Sequence, residues 1–304
     1  MNDLTRRQLI GTAALAALAT GARGEARADA PFKHMLNSAT VMGQKLSAAQ
    51  LVDLAAKAGY DALEPWVREL EPLDAAARKD VGKRAADKGL SIESAIGFAA
   101  WIVDDPAARK KGLEQARRDM DLVLGIGGKR IAAPPVGATE KKAGDLLAVA
   151  DRYHALCELG RKMGVVPQVE LWGFSKTLGR LGETALVAIE SGHPQACILA
   201  DVYHLYKGGS GFAGIPLLGK ASMHVFHLND YPDLPRDKIG DAHRVYPGDG
   251  VAPLEKMLRD LRAGGFKGFL SLELFNREYW KQDAEKVART GLEKMKAVVR
   301  KALA

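Results

Sequence analysis

The stretch Ala196-Cys-Ile-Leu-Ala-Asp201-Val-Tyr-His204-Leu-Tyr-Lys207 decides the fold. A short apolar run, Ile198-Leu199-Ala200, stops at Asp201, and His204 follows three residues later. An apolar run bounded by polar residues reads as a strand buried on both faces of a parallel sheet. The acid and the imidazole then stand at the mouth of that strand. Carboxylate oxygens and neutral imidazole nitrogens are the ligands of a borderline or hard divalent cation. Asp-x-x-His is a weak pattern on its own. It gains weight because three other strand-like runs end in the same kind of residue.

Working outward, apolar strand-like runs alternate with amphipathic helical ones. The predicted strands are His34–Thr40, Ala62–Glu64, Ser91–Ile96, Arg130–Ala133, Val165–Leu171, Cys197–Asp201, His224–Asp230 and Phe269–Leu274. Helical periodicity covers Ala48–Ala58, Asp74–Lys88, Ala107–Leu124, Leu146–Met163, Glu183–Ser191, Pro253–Ala263 and Ala284–Leu303. Gly59, Gly89, Gly125, Gly164, Gly192 and Gly264 fall where these helices should stop. Eight such strand–helix units suit a (β/α)8 TIM barrel, which usually takes about 250 residues. A doubly wound open sheet has the same local signature. It fits less well, because Asn37-Ser38-Ala39-Thr40 follows the first strand where a Gly-rich phosphate loop would stand. The long polar Asp230–Gly250 connection reads as an active-site loop.

The chain has 304 residues, 47% of them hydrophobic, enough to bury a large core. It opens on Thr5-Arg6-Arg7-Gln8-Leu9-Ile10, a twin-arginine pattern followed by an apolar stretch to Ala22 and the small residues of Ala26-Arg27-Ala28. The order charged, apolar, A-x-A is that of a signal peptide. Residues 1–28 are thus predicted to be a cleaved leader, handled by the twin-arginine export machinery. Residues 29–304 are predicted to form the barrel, in the periplasm or beyond. Losing four arginines and two acids lowers the formal charge from +7 to +5. The remaining basic residues are interleaved with acids, which argues against a nucleic-acid partner. Cys157 and Cys197 read as two packed thiols rather than a disulfide.

In a (β/α)8 barrel the carboxyl ends of the strands converge on one face, where active sites lie. The fifth strand ends with Glu170, the sixth with Asp201, the seventh holds His227 and the eighth Glu273. Acids in apolar strands are costly to bury without a positive partner. Three converging carboxylates and an imidazole suit one divalent metal, Mn2+ best, with Mg2+, Co2+ or Zn2+ as alternatives. The competing reading pairs each acid with an arginine or lysine in a structural salt bridge.

These residues carry a family resemblance. From about His34 onward the chain resembles the sugar isomerase/epimerase superfamily of xylose-isomerase-like TIM barrels. The resemblance rests on Val169-Glu170, Asp201-Val-Tyr-His204, His227-Leu-Asn-Asp230, Arg244-x-x-Pro247-Gly248-x-Gly250 and Ser271-Leu-Glu273, taken in order. It implies that Glu170, Asp201, His227 and Glu273 bind one divalent metal. It also implies that His204 contacts a substrate oxygen, which Arg244 reaches from the loop after the seventh strand. Glu170 and Glu273 would then remove and return a proton beside a polarised carbonyl, through a cis-enediolate. Trp66, Phe98, Trp101 and Trp172 are candidates for an apolar wall against the sugar's C–H face, or else ordinary core aromatics.

The chain departs from parts of that superfamily. Its sugar 3-epimerases carry Glu-Pro-x-Asn-Arg after the fifth strand, whereas Glu170 is followed here by Leu-Trp-Gly-Phe-Ser-Lys. Glu64 and Glu93 stand where its DNA-repair endonucleases have histidine ligands. Asp241-Ala-His243 is similar to a metal pair of those endonucleases, which makes a second metal an expectation to test. The predicted activity is metal-dependent isomerisation or epimerisation of a sugar or keto-sugar, in a chain that could form homo-oligomers as its superfamily often does. One alternative is a lyase on the same barrel. Ser271-Leu-Glu-Leu-Phe-Asn276 is similar to 3-dehydroshikimate dehydratases, and export favours 3-keto-glycoside substrates. A non-catalytic sugar-binding barrel is the other alternative.

Overall fold

The computed structural model describes residues 32–219 and 222–304. The predicted leader, residues 1–28, lies outside them. Eight parallel strands, β1 (Lys33–Asn37), β2 (Ala62–Glu64), β3 (Ser91–Ile92), β4 (Arg130–Ala133), β5 (Val166–Glu170), β6 (Ile198–Asp201), β7 (Met223–Leu228) and β8 (Phe269–Leu272), run in the order β3-β2-β1-β8-β7-β6-β5-β4. The ring closes through Ala95, just past β3. Its N–H donates to Arg130 O at 3.1 Å and its carbonyl accepts from Ala132 N at 2.9 Å. Past Ile92 the pairing consists of isolated bridges, Ala95 with Ile131 and Ile96 with Trp66, so the third strand is shorter than the predicted Ser91–Ile96.

Helices α1 (Ala48–Ala58), α2 (Ala75–Asp87), α3 (Pro106–Gly125), α4 (Leu146–Met163), α5 (Leu181–Glu190), α7 (Leu254–Ala263) and α8 (Ala284–Leu303) follow the strands. The sixth strand is followed by the short α6 (Val202–Lys207), which the periodicity did not reveal. Asp74, Asp105, Asp145 and Asp283 each cap a helix by accepting the third backbone amide, satisfying an otherwise orphaned donor. Gly59 and Gly164 end α1 and α4 at φ +92° and +81°, where a side chain would be strained. Two expected stops move. α3 includes Gly125, and the left-handed residue is Gly127; after α7 it is Gly265, not Gly264.

Met35, Ala62, Ile96, Ala132, Leu199, Val225 and Phe269 form an apolar cluster on the strands, separate from the main core of apolar helix and strand side chains. Cys157 and Cys197 are buried free thiols, their pKa pushed up to about 12 by burial. Toward the carboxyl ends of the strands, buried side chains turn polar: Asn37, Glu64, Glu170, Asp201, His227 and Ser271.

Candidate functional site

Four consecutive strands deliver the site. Glu170 and Asp201 are the last residues of β5 and β6, His227 is next to last in β7, and Glu273 follows β8. The register sets Asp201 beside His227 and His227 beside Ser271, so these side chains emerge at one level. Donor atoms of Asp201, His227 and Glu273 lie within 4.8 Å of one another, and all three residues are buried.

His227 is held for a task at Nδ1. Its Nε2 lies 3.0 Å from Glu64 Oε2, with both side chains fully buried. The same oxygen accepts from Asn37 Nδ2 at 2.9 Å and Ser271 Oγ at 2.6 Å. The other ring nitrogen, Nδ1, makes no hydrogen bond, though it sits 3.2 Å from Glu273 Oε2 and 3.8 Å from Asp201 Oδ2. An imidazole that ligates a metal ordinarily gives its second N–H to a carboxylate, which fixes its tautomer and direction. Glu64 is placed to do this. The sequence reading set Glu64 aside, although it ends an apolar strand just as Asp201 does. Burial alone would lower the His227 pKa, but Glu273 and Glu64 hold it well above the usual imidazole range.

The two nearer acids are also oriented. Asp201 Oδ1 accepts the His204 backbone N–H at 2.7 Å, capping α6, so the Asp-x-x-His spacing is also a capping geometry. Its Oδ2 accepts from Asn229 Nδ2 at 2.8 Å and Arg244 Nη1 at 3.0 Å. Glu273 Oε2 accepts from the same Nη1 at 2.9 Å, and Oε1 from Asn37 Nδ2 at 3.2 Å. Two oriented carboxylates and an imidazole with a free inward nitrogen, buried and backed by hydrogen bonds, fit a divalent cation. Glu170 stands outside that three-donor group, with a buried, unpartnered Oε2. Burial pushes its carboxyl up to about 8, the charges of Glu273 and Asp201 adding to the rise and His227 opposing it.

Arg244, expected to reach a substrate oxygen, is also tied to the acids of the site. It is 1% exposed, and its guanidinium bridges Asp201, Glu273 and Asp241. The loop that carries it is tied down by Asp230, whose carboxylate accepts the backbone N–H groups of Gly248, Gly250 and Ala252. His204 is buried, and desolvation lowers its pKa to about 3, keeping it neutral. Its Nδ1 accepts from Gly173 N at 3.2 Å, which assigns the ring proton to Nε2. Nε2 lies 3.1 Å from Arg244 Nη2, so two donors face each other. A ligand oxygen beside the pair, within reach of both, would satisfy them.

Other expectations fare differently. Trp172 is half-buried between Phe98 and Phe174 at the mouth, with ring centroids 6.2 and 5.4 Å away. Trp101 lies in the core, 1% exposed, its ring 5.7 Å from Tyr153 and its indole N–H on Pro134 O. The expected apolar wall therefore does not include it. Nor is the Asp241–His243 pair assembled for a second metal. Asp241 accepts from Arg244 at 2.6 Å, while the exposed His243 accepts the Gly240 N–H through Nδ1.

Known proteins share this fold. The model of the xylose isomerase-like TIM barrel family matches residues 52–298. An inosose isomerase from Bacillus velezensis is 24% identical over 280 residues, covering 89% of this chain and 98% of that protein. A 3-dehydroshikimate dehydratase from Pseudomonas aeruginosa is 27% identical over 242 residues, 74% of this chain and 36% of that protein. The crystal structure of the IOLI protein with a bound zinc atom superposes with a TM-score of 0.81 at 21% identity, covering 89% of this chain and 99% of that one. The chain belongs to the xylose isomerase-like TIM barrel family.

Proposed function

We propose that this protein is a divalent-metal-dependent isomerase or epimerase of a sugar, keto-sugar or related cyclic hydroxy ketone. The observation that carries the reading is the convergence of Glu170, Asp201, His227 and Glu273 from four adjacent strand ends, with Asp201, His227 and Glu273 within reach of one ion. A divalent cation held there would polarise a carbonyl and acidify the adjacent C–H. Mn2+ is the cation we assign from the donor set; the zinc in the IOLI protein makes Zn2+ its competitor. Glu170, with its carboxyl pushed up to about 8, is suited to take a proton and give it back near neutral pH. Glu273 is the partner on the other side of the reacting carbon. His204 Nε2–H and Arg244 Nη2 converge on one position and would hold a substrate oxygen there.

Similarity to a 3-dehydroshikimate dehydratase favours a second reading, in which the same proton abstraction expels a leaving group. The two readings share their first step and separate in one experiment. Protein loaded with Mn2+ or Zn2+ is incubated in D2O with inososes, ketoses and 3-keto-glucosides and followed by NMR. Deuterium beside the carbonyl together with a new isomer is the expected result. Loss of water or an aglycone would move the assignment to the lyase, and absence of exchange across the panel would overturn both.

We further propose that residues 1–28 direct export through the twin-arginine route and that the barrel works in the periplasm. Mass determination of the exported chain should find Asp29 at its N-terminus. An unprocessed chain retained in the cytoplasm would refute this.

A further inference from the structure

The mouth above the acids is bounded by an almost unbroken aromatic rim. Ring centroids run Phe275–Trp66 5.9 Å, Trp66–Phe98 4.8 Å, Phe98–Trp172 6.2 Å, Trp172–Phe174 5.4 Å and Phe174–His204 5.7 Å. Arg244 closes the circuit, 3.1 Å from His204 Nε2 and with its guanidinium carbon 4.9 Å from the Phe275 ring. These residues follow β2, β3, β5, β6, β7 and β8, so the rim surrounds the catalytic face rather than one edge of it. Phe98 and Phe174 stay 37% and 42% exposed, among the most exposed large apolar side chains of the described residues.

Apart from His204, Arg244 and the exposed Arg68, whose guanidinium lies 4.4 Å over the Trp66 ring, the rim is poor in groups a hydroxyl could use. Phe275, Phe98 and Phe174 have no polar side-chain atom. Trp66 commits its only one, Nε1, to Asn37 Oδ1 at 3.1 Å, and the Trp172 indole N–H is turned to the Glu170 carboxyl. A bare sugar carries hydroxyls around its whole edge, and burying them without partners is unfavourable. An aryl ring has no such requirement, and it gains from stacked or edge-to-face contact with rings already 4.5–7 Å apart. Acids lie below the rim, His204 and Arg244 are its polar members, and the arc from Phe275 to Phe174 is made of aromatic faces.

We propose that the substrate is bipartite: a hydroxy ketone held by the acidic floor, His204 and Arg244, carrying an aryl substituent that the rim encloses. This rests on the assignment of the floor to a carbonyl compound, and its test is read by binding, without turnover. The probes are 2-hydroxyacetophenone and hydroxyacetone, which share the hydroxy ketone and differ in phenyl against methyl. Affinities for the full, zinc-loaded chain are measured by calorimetry or ligand-observed NMR.

The phenyl compound should bind about tenfold tighter or more. In Phe98→Ala/Phe174→Ala that preference should fall to about twofold or less, with hydroxyacetone affinity unchanged. Phe98→Leu/Phe174→Leu, which keeps apolar bulk, should fall between the two and guards against a loss of folding. Equal affinities, an undiminished preference in the alanine variant, or no binding of either probe would overturn the proposal. Failure of deuterium exchange, with the phenyl preference intact, would instead count against the isomerase and lyase readings and leave the aryl preference standing.

Discussion

The two poles of the barrel both bury acids, and they treat them differently. At the amino-terminal pole, Glu93 is 8% exposed and each of its oxygens has its own cation. Lys129 stands at 2.7 Å and Arg130 at 3.1 Å, both reaching solvent. At the carboxyl-terminal pole, Glu64, Asp201 and Glu273 share Arg244 and His227, and Glu170 stands beside them. Glu64 Oε1, Glu170 Oε2, His227 Nδ1 and Arg244 Nε there have no hydrogen-bond partner. A buried charge that lacks a partner costs stability, and native structures rarely retain one without a use. The first pole is an ordinary structural salt bridge with both carboxylate oxygens matched, although Arg130 Nε there is also unpartnered. The second keeps charge in excess of its cations, the condition under which a carboxylate is raised to a working pKa and a metal is attracted.

Activity should divide the poles most sharply. Glu273→Gln or Glu170→Gln is expected to lower turnover by about 10^3-fold or more with the circular dichroism spectrum unchanged, whereas Glu93→Gln should leave turnover within about twofold. Equal losses at both poles would erase the distinction.

Stability against pH sharpens it next. The folded pKa of Glu170 is raised from 4.5 to about 8. The folded chain therefore holds that proton more tightly, and the associated stability is complete below pH 4.5 and lost as pH rises through 8. The neutral amide of Glu170→Gln does not lose it. Without metal, that variant should match the parent below pH 4.5 and exceed it by on the order of 1–3 kcal/mol at pH 8.5, by denaturant unfolding. A variant less stable than the parent at pH 8.5 would mean that Glu170 is paired after all. The smallest effect belongs to the other pole. Glu93→Gln should cost about 0.5–1 kcal/mol, falling with added salt because Lys129 and Arg130 are partly solvated.

The pattern that made the fold readable is local. Apolar runs ending in Glu170, Asp201 and His227 mark strands by composition alone, and glycines at φ +92° and +81° mark helix ends. The end of β3 was harder, since the isolated backbone bridge of Ala95, just past it, to β4 leaves no periodic trace. In the site, strand-end residues were visible because the barrel itself converges them. Whether Trp101 or Trp172 faces the mouth depends on the paths of the loops after β3 and β5, which spacing does not encode. Arg244 was visible as a residue and not as a contact, because its reach is set by the tether at Asp230, a tertiary constraint. Glu64 was the missed signal. It ends an apolar strand, and its support of His227 follows from the same logic that selected Asp201.

The most direct test of the account is the metal itself. The full chain and Asp201→Asn/His227→Gln are equilibrated with Zn2+ or Mn2+, freed of loose metal, and assayed by inductively coupled plasma mass spectrometry. The account predicts one ion per chain in the parent and next to none in a folded double variant. A parent that retains no metal, or a variant that retains as much as the parent, would contradict it.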